Sequence, residues 1–142
     1  MLLQPQEVEV YYVLPAIRRE LAYALKRRGR SQAEIAALLG VTGASVSHYL
    51  RGHRGAESLC ELAALANMAA THVTDRESML RETQAILTVL KQNRTICQLH
   101  ERVSSDIPKG CDVCFGGAAV GSPTGKMDAR VTEPVHGTGG RQ

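Results

Sequence analysis

The chain has 142 residues, 44% of them apolar but only 4% aromatic and none Trp, a composition that favours one small-residue helical core with an extension and argues against a β-sandwich. Its formal charge of +3 is uneven: residues 1–55 carry eight Lys/Arg against four Asp/Glu, residues 56–109 six against seven, and the remainder three against three, so the N-terminal third is the basic one. No apolar run approaches the roughly 18 residues of a membrane span, and MLLQPQEVEV lacks the basic start of a signal peptide, so a cytoplasmic protein with no membrane partner is expected.

In EVEVYYV the apolar residues alternate as in a strand. One short strand without a partner does not stand alone, so residues 1–13 are expected to be an N-terminal arm or a helical extension. Leu14, Ile17, Leu21, Ala24 and Leu25 then fall at helical spacing, with Pro15 in the first turn and Gly29 at the far end. SQAEIAALLG sets Ser31 and Glu34 at capping-box spacing, turns Ile35, Leu38 and Leu39 inward, and stops at Gly40. VTGASVSHYLRG follows at once, with Thr42 as cap, Val46, Tyr49 and Leu50 inward, and Gly52 as terminator. In ESLCELAALANMA a fourth helix is expected with Leu59, Leu62, Ala63 and Ala66 as its stripe and Cys60 as a small packing residue at the margin. Thr74 and Glu77 repeat the capping-box spacing before a longer helix whose Met79, Thr83, Ile86, Leu87 and Leu90 share a face; the stripe lapses at Asn93 and Arg94.

The two short helices joined at Gly40 have the spacing of a helix-turn-helix. Ala36 is small where the helices cross, Gly40 suits a left-handed turn, and Ile35, Leu39, Val41, Val46 and Leu50 fix the angle between them. What remains outward on the second helix and at its edge is Thr42, Gly43, Ala44, Ser45, Ser47, His48 and Arg51, small or hydrogen-bonding residues that permit close approach to a major groove. Gln32 opens the first helix of the pair, where its amide and the helix N-terminus suit a phosphate. Basic residues flank them, Arg27, Arg28 and Arg54 foremost, and supply salt-dependent affinity for a phosphate backbone. No acid–base constellation accompanies His48, so an enzyme is not expected.

SQAEIAALLGVTGASVSHYLRGHRG, with its SQ..IA..LGV....VS.YL.G pattern, resembles the lambda-repressor-like Cro/C1 (XRE) family of helix-turn-helix regulators over residues 14–70. The resemblance implies an all-α domain, here 14–73, that binds double-stranded DNA, usually as a homodimer, with Thr42 to Arg51 as recognition helix. Gly43 and Ala44 depart from the family, many of whose members carry longer readers such as Gln there. Base preference would then rest on shape, on thymine methyl groups, or on Ser47, His48 and Arg51.

Residues 74–115 are expected to hold the long helix, a candidate dimer contact, and a Cys/His knuckle. Cys97 returns to the angular position of Met79 after eighteen residues, or five turns at about 3.6 residues each, with His100 on a neighbouring line, so both are expected to face one point. The turn around Pro108 and Gly110 would fold CDVC back, giving C-x2-H-x10-C-x2-C from Cys97, His100, Cys111 and Cys114. A structural Zn2+ site suits that spacing. An iron–sulfur cluster on the three cysteines, a reversible Cys111–Cys114 disulfide and a chance cluster remain open beside it. Residues 116–142 hold seven of the thirteen glycines and no aromatic residue, as expected of a disordered tail. VGSPTGKM is not a phosphate loop, because Val120 and Met127 stand where that motif needs Gly and Ser/Thr.

The expected function is a dimeric, sequence-specific transcriptional regulator with a metal- or redox-sensing C-terminal module. A redox or metal-binding protein, or a coactivator whose helices make protein contacts, is the alternative.

Overall fold

Residues 1–55 and 57–115 are described by the computed structural model, so the tail expected at 116–142 lies outside the described residues. The chain divides into two units, Met1–Pro108 and Lys109–Gln142.

The first unit opens on a helix. α1 (Pro5–Val8) passes through a π-helical turn (Glu9–Val13) directly into α2 (Leu14–Arg27), so of the two expectations for this stretch, arm or helical extension, the helical one holds from Pro5 onward. Helical burial replaces the strand-like alternation: Val8 and Val13 are fully buried, whereas Val10, which a strand would place on the face of Val8, is 56% exposed. Pro15 accounts for the wide turn. Inside a regular helix its ring would strike the carbonyl four residues back; here the Leu14 N–H instead reaches Glu9 O, five residues back, which opens the turn before the proline.

α2 is the centre of the core. Its Ala16, Ile17, Leu21, Ala22, Ala24 and Leu25 are buried, and the chain leaves it through Gly29 at φ 88°. α3 (Gln32–Leu39) and α4 (Gly43–Leu50) follow, then α5 (Leu62–Ala70), α6 (Arg76–Gln92) and α7 (Thr95–Val103). Among the described residues there is no strand, and no helix is long and apolar enough to cross a membrane.

Three sequence expectations move. The fourth helix starts only at Leu62, because Glu61 takes a left-handed conformation (φ 61°). Its buried stripe is therefore Leu62, Ala66, Ala69 and Ala70, while Ala63 and Cys60 are exposed, so Cys60 is not a packing residue. The cap of the long helix is Asp75 rather than Thr74: Asp75 accepts from the Ser78 N–H at 2.8 Å, and the Ser78 hydroxyl takes the Asp75 N–H at 3.0 Å. Finally, the long helix ends at Gln92. Arg94 turns left-handed (φ 59°) and α7 starts afresh, so the five-turn phase relation between Met79 and Cys97 does not hold.

The break has a visible fastening. Glu61 Oε1 accepts from Asn93 Nδ2 at 3.0 Å and from Thr95 Oγ1 at 3.2 Å, placing a carboxylate beside the first turn of α7, where the helix dipole favours negative charge. α7 buries Ile96 and Leu99 and packs against α1. Its far end holds the start of the chain: Leu3 N–H donates to Ser104 Oγ at 3.4 Å, Ser104 O–H donates to Met1 O at 2.8 Å, and His100 Nε2 meets Leu3 O at 2.7 Å. In the second unit the described residues form a turn, with the Phe115 N–H on Asp112 O at 2.9 Å.

Candidate nucleic-acid interface

α3 and α4 are fixed at both ends by side-chain chemistry. Ser31 Oγ accepts the Glu34 N–H at 3.1 Å and Glu34 Oε2 accepts the Ser31 N–H at 2.7 Å, completing a reciprocal cap. The Ser31 backbone N–H first and the Ser31 hydroxyl next hold the Glu34 carboxyl below the ordinary range, with Arg30 assisting. Gly40, at φ 66°, makes the left-handed exit, and Thr42 Oγ1 caps α4 by accepting the Ser45 N–H at 3.1 Å. The turn is thus three residues, Gly40, Val41 and Thr42, of which the first and last are the caps of the two helices.

One face of α4 goes into the core through Val46 and Tyr49, 0% and 4% exposed. Tyr23 O–H on α2 donates to Leu50 O at 3.3 Å, tying the end of α4 to the central helix. At about 3.6 residues per turn, positions 44, 48 and 51 then lie opposite, and 47 and 43 continue the strip along one side. Gly43, Ala44, His48 and Arg51 are exposed there, with Ser47 half-buried; Thr42 and Gln32 are exposed at the two helix starts, and Ser45 is half-buried at the edge. The outward set read from the sequence is accordingly on one continuous strip of α4 and its cap.

The basic residues separate into two groups. Arg19 is structural: its Nη2 bonds Glu20 Oε1 at 3.0 Å and Glu57 O at 3.3 Å, with 15% of its side chain exposed. Arg27 is exposed but fastened to Asn67 Oδ1 on α5 at 2.7 Å. Arg28, Arg51 and Arg54 are exposed and, among the described residues, are held in no ion pair. Arg54 Nη1 donates to Ser45 Oγ at 3.3 Å.

His53, which the sequence already sets among the basic flanks, and Arg76 make contacts that the sequence does not announce. His53, in the loop after α4, sets its ring 5.8 Å from that of His48 and donates its N–H to His48 O at 2.9 Å. Arg76, at the start of α6, donates Nε to Ala37 O on α3 at 2.8 Å; a contact across 39 positions leaves no local signature.

The Cys/His set is divided between the units, Cys97 and His100 in the first, Cys111 and Cys114 in the second. Cys97 and Cys111 are half-buried, Cys114 exposed. Among the described residues no group of three or more His, Cys, Asp or Glu side chains is placed to hold a metal ion. A carbonyl only accepts, so the His100–Leu3 contact requires the proton on Nε2 and leaves Nδ1 as the nitrogen able to ligate.

Residues 21–58 match a helix-turn-helix family model, of the Cro/C1 type that the sequence resembles. That span, about a quarter of the chain, contains α3, the Gly40 turn, α4 and the loop to Glu57. No curated protein and no solved structure matches the chain.

Proposed function

We propose, with residues 21–58 as a helix-turn-helix of a DNA-binding regulator type, that the protein is a dimeric, sequence-specific transcriptional regulator that binds double-stranded DNA through α4. The observation that carries this is the strip Gly43, Ala44, Ser47, His48 and Arg51: exposed except for the half-buried Ser47, free of acidic side chains, and on a helix whose other face is locked in the core. Small residues let the helix backbone approach the groove floor, and Arg51 and His48 supply donors to base edges. Arg28 and Arg54 add backbone affinity, as does Gln32 at the α3 start.

Titration of duplex DNA at several salt concentrations tests the reading. Arg51→Ala relaxes preference at one base pair, at a cost of about 1–3 kcal/mol. Arg28→Ala weakens all sequences alike and lowers the salt slope by about 1. Salt-independent or absent duplex binding refutes it and favours the alternative, a helical domain for protein contacts. Dimerisation belongs to the proposal because two recognition helices must sit about 34 Å apart to read a two-fold site; sedimentation with and without duplex tests it.

The C-terminal module is part of the same proposal: Cys97, His100 through Nδ1, Cys111 and Cys114 ligate Zn2+ or, alternatively, hold an iron–sulfur cluster. Its support is the ligand spacing and the donor chemistry. Elemental analysis and an absorption spectrum of anaerobically purified protein separate zinc, iron and neither.

A further inference from the structure

The start of the recognition helix has little reach of its own. Gly43 and Ala44 are exposed, and neither side chain carries a polar atom. We propose that Arg54, from the loop after α4, supplies that reach and reads a guanine in the major groove beside the first turn of the helix. The inference rests on α4 being the DNA-contacting element.

Three observations carry it. The first is that the loop is pinned. Gly52 (φ 72°) reverses the chain, the His53 N–H closes on His48 O at 2.9 Å, and Gly55 lies so close to α2 that an added Cβ would stand 2.3 Å from Pro15 O. Arg54 sits between these fastenings and cannot wander as a tail residue would.

The second is where its side chain goes. Instead of extending into solvent from the C-terminal end of α4, the guanidinium runs back along the helix and donates through Nη1 to Ser45 Oγ at 3.3 Å. That oxygen also receives the Thr42 hydroxyl at 3.0 Å, which fixes its position. With Nη1 engaged, the Nε and Nη2 hydrogens on the other edge remain as a two-pronged donor, the geometry that matches guanine O6 and N7.

The third is charge. Among the described residues no carboxylate pairs with Arg54, so a neutral hydroxyl holds it without cancelling its charge. An arginine meant only for phosphate needs no tether on the helix that enters the groove. One that must meet a base edge does, because a base contact tolerates little angular error.

Selection from random-sequence duplexes with the full chain, followed by affinity measurements on the selected site, tests the assignment. The wild type selects a site with a guanine that Arg54→Ala and Arg54→Lys no longer require; discrimination at that position falls about 5- to 150-fold. Ser45→Ala loses part of the same preference, since only the tether is gone. Lysine keeps the charge but not the fork, so it separates the two roles. If Arg54→Ala weakens every sequence evenly, and Arg54→Lys restores wild-type binding, Arg54 is a phosphate contact and the assignment falls. An unchanged guanine preference in Arg54→Ala overturns it equally. A wild type that selects no sequence removes the DNA-reader proposal itself, and the assignment with it.

Discussion

Replacing Gly55 by alanine is the most direct probe of how the interface is mounted. Gly55 has φ 68°, and a Cβ there would lie 2.3 Å from Pro15 O, 2.6 Å from Pro15 C and 3.0 Å from Ala16 N. All three are backbone atoms of the helix at the centre of the core, so no side chain can swing aside; the loop itself must move. A left-handed conformation costs a non-glycine residue about 1–2 kcal/mol, and overpacking against rigid structure adds about 1–3 kcal/mol. The expected destabilisation is therefore about 2–5 kcal/mol. Gly29 and Gly40 provide the controls, since they have φ 88° and 66° but nothing within 4 Å of an added Cβ. Gly29→Ala and Gly40→Ala should show the conformational part alone. Urea unfolding followed by far-ultraviolet circular dichroism measures all three. With a slope of about 1–3 kcal/mol per molar urea, the midpoint of Gly55→Ala should lie lower than that of either control by about 1 M. Equal midpoints in the three variants would show that the loop is not pressed against α2, and would remove the pinning on which the Arg54 assignment depends.

The remaining expectations concern other joints. Ser78, through its backbone N–H first and then its hydroxyl, holds the Asp75 carboxyl below the ordinary range, as Ser31 does for Glu34. Depressed folded-state values mean stability that is fully present above the ordinary carboxylate range and lost as pH falls through the depressed one. The stability gap between wild type and Asp75→Asn should accordingly narrow as the solution is acidified, and a gap that widens in acid would contradict the cap. Tyr23→Phe removes one bond to the end of α4 and should lower stability by about 0.5–1.5 kcal/mol, visible in denaturant titration. Leu99→Ala should destabilise by about 2–5 kcal/mol, because Leu99 is fully buried; a loss under 1 kcal/mol, on the order of a surface substitution, would mean α7 is not part of the core. His100→Ala deletes the donor to Leu3 O and should speed amide exchange in residues 1–8 while leaving α3 and α4 protected.

What the sequence revealed depended on how local each signal was. The helix-turn-helix rests on capping and turn chemistry within four residues of each position, and Ser31 with Glu34, Gly40 and Thr42 all do in space what their spacing announced. Where several local readings fit, tertiary packing decided. EVEVYYV satisfies a strand as well as a helix until Val8 and Val13 find the core, and Thr74 with Glu77 has the same spacing as Asp75 with Ser78. The lapse of the apolar stripe at Asn93 and Arg94 marked a weak point in the long helix, but the left-handed conformations of Glu61 and Arg94 were hidden. A carboxylate 32 positions from its Asn93 partner holds the elbow together, which no local pattern announces. The face of α4 was legible for the same reason as its caps, whereas the paths of Arg27 to Asn67 and Arg54 to Ser45 were not, because a long side chain chooses among distant acceptors only once the backbone is folded.

The fastening of Leu3 to the far end of α7 also bears on the order in which the chain becomes a protein. Its partners lie 97 and 101 positions away, at His100 and Ser104. A ribosome adding about 5–20 residues per second leaves the first turn of the chain without them for about 5–20 s. During that interval the helix-turn-helix, whose caps and turn are short in sequence, can close, while α1 still lacks the α7 face on which it packs. Closure of the helix-turn-helix and closure of the unit around it are thus separable steps in the making of the chain.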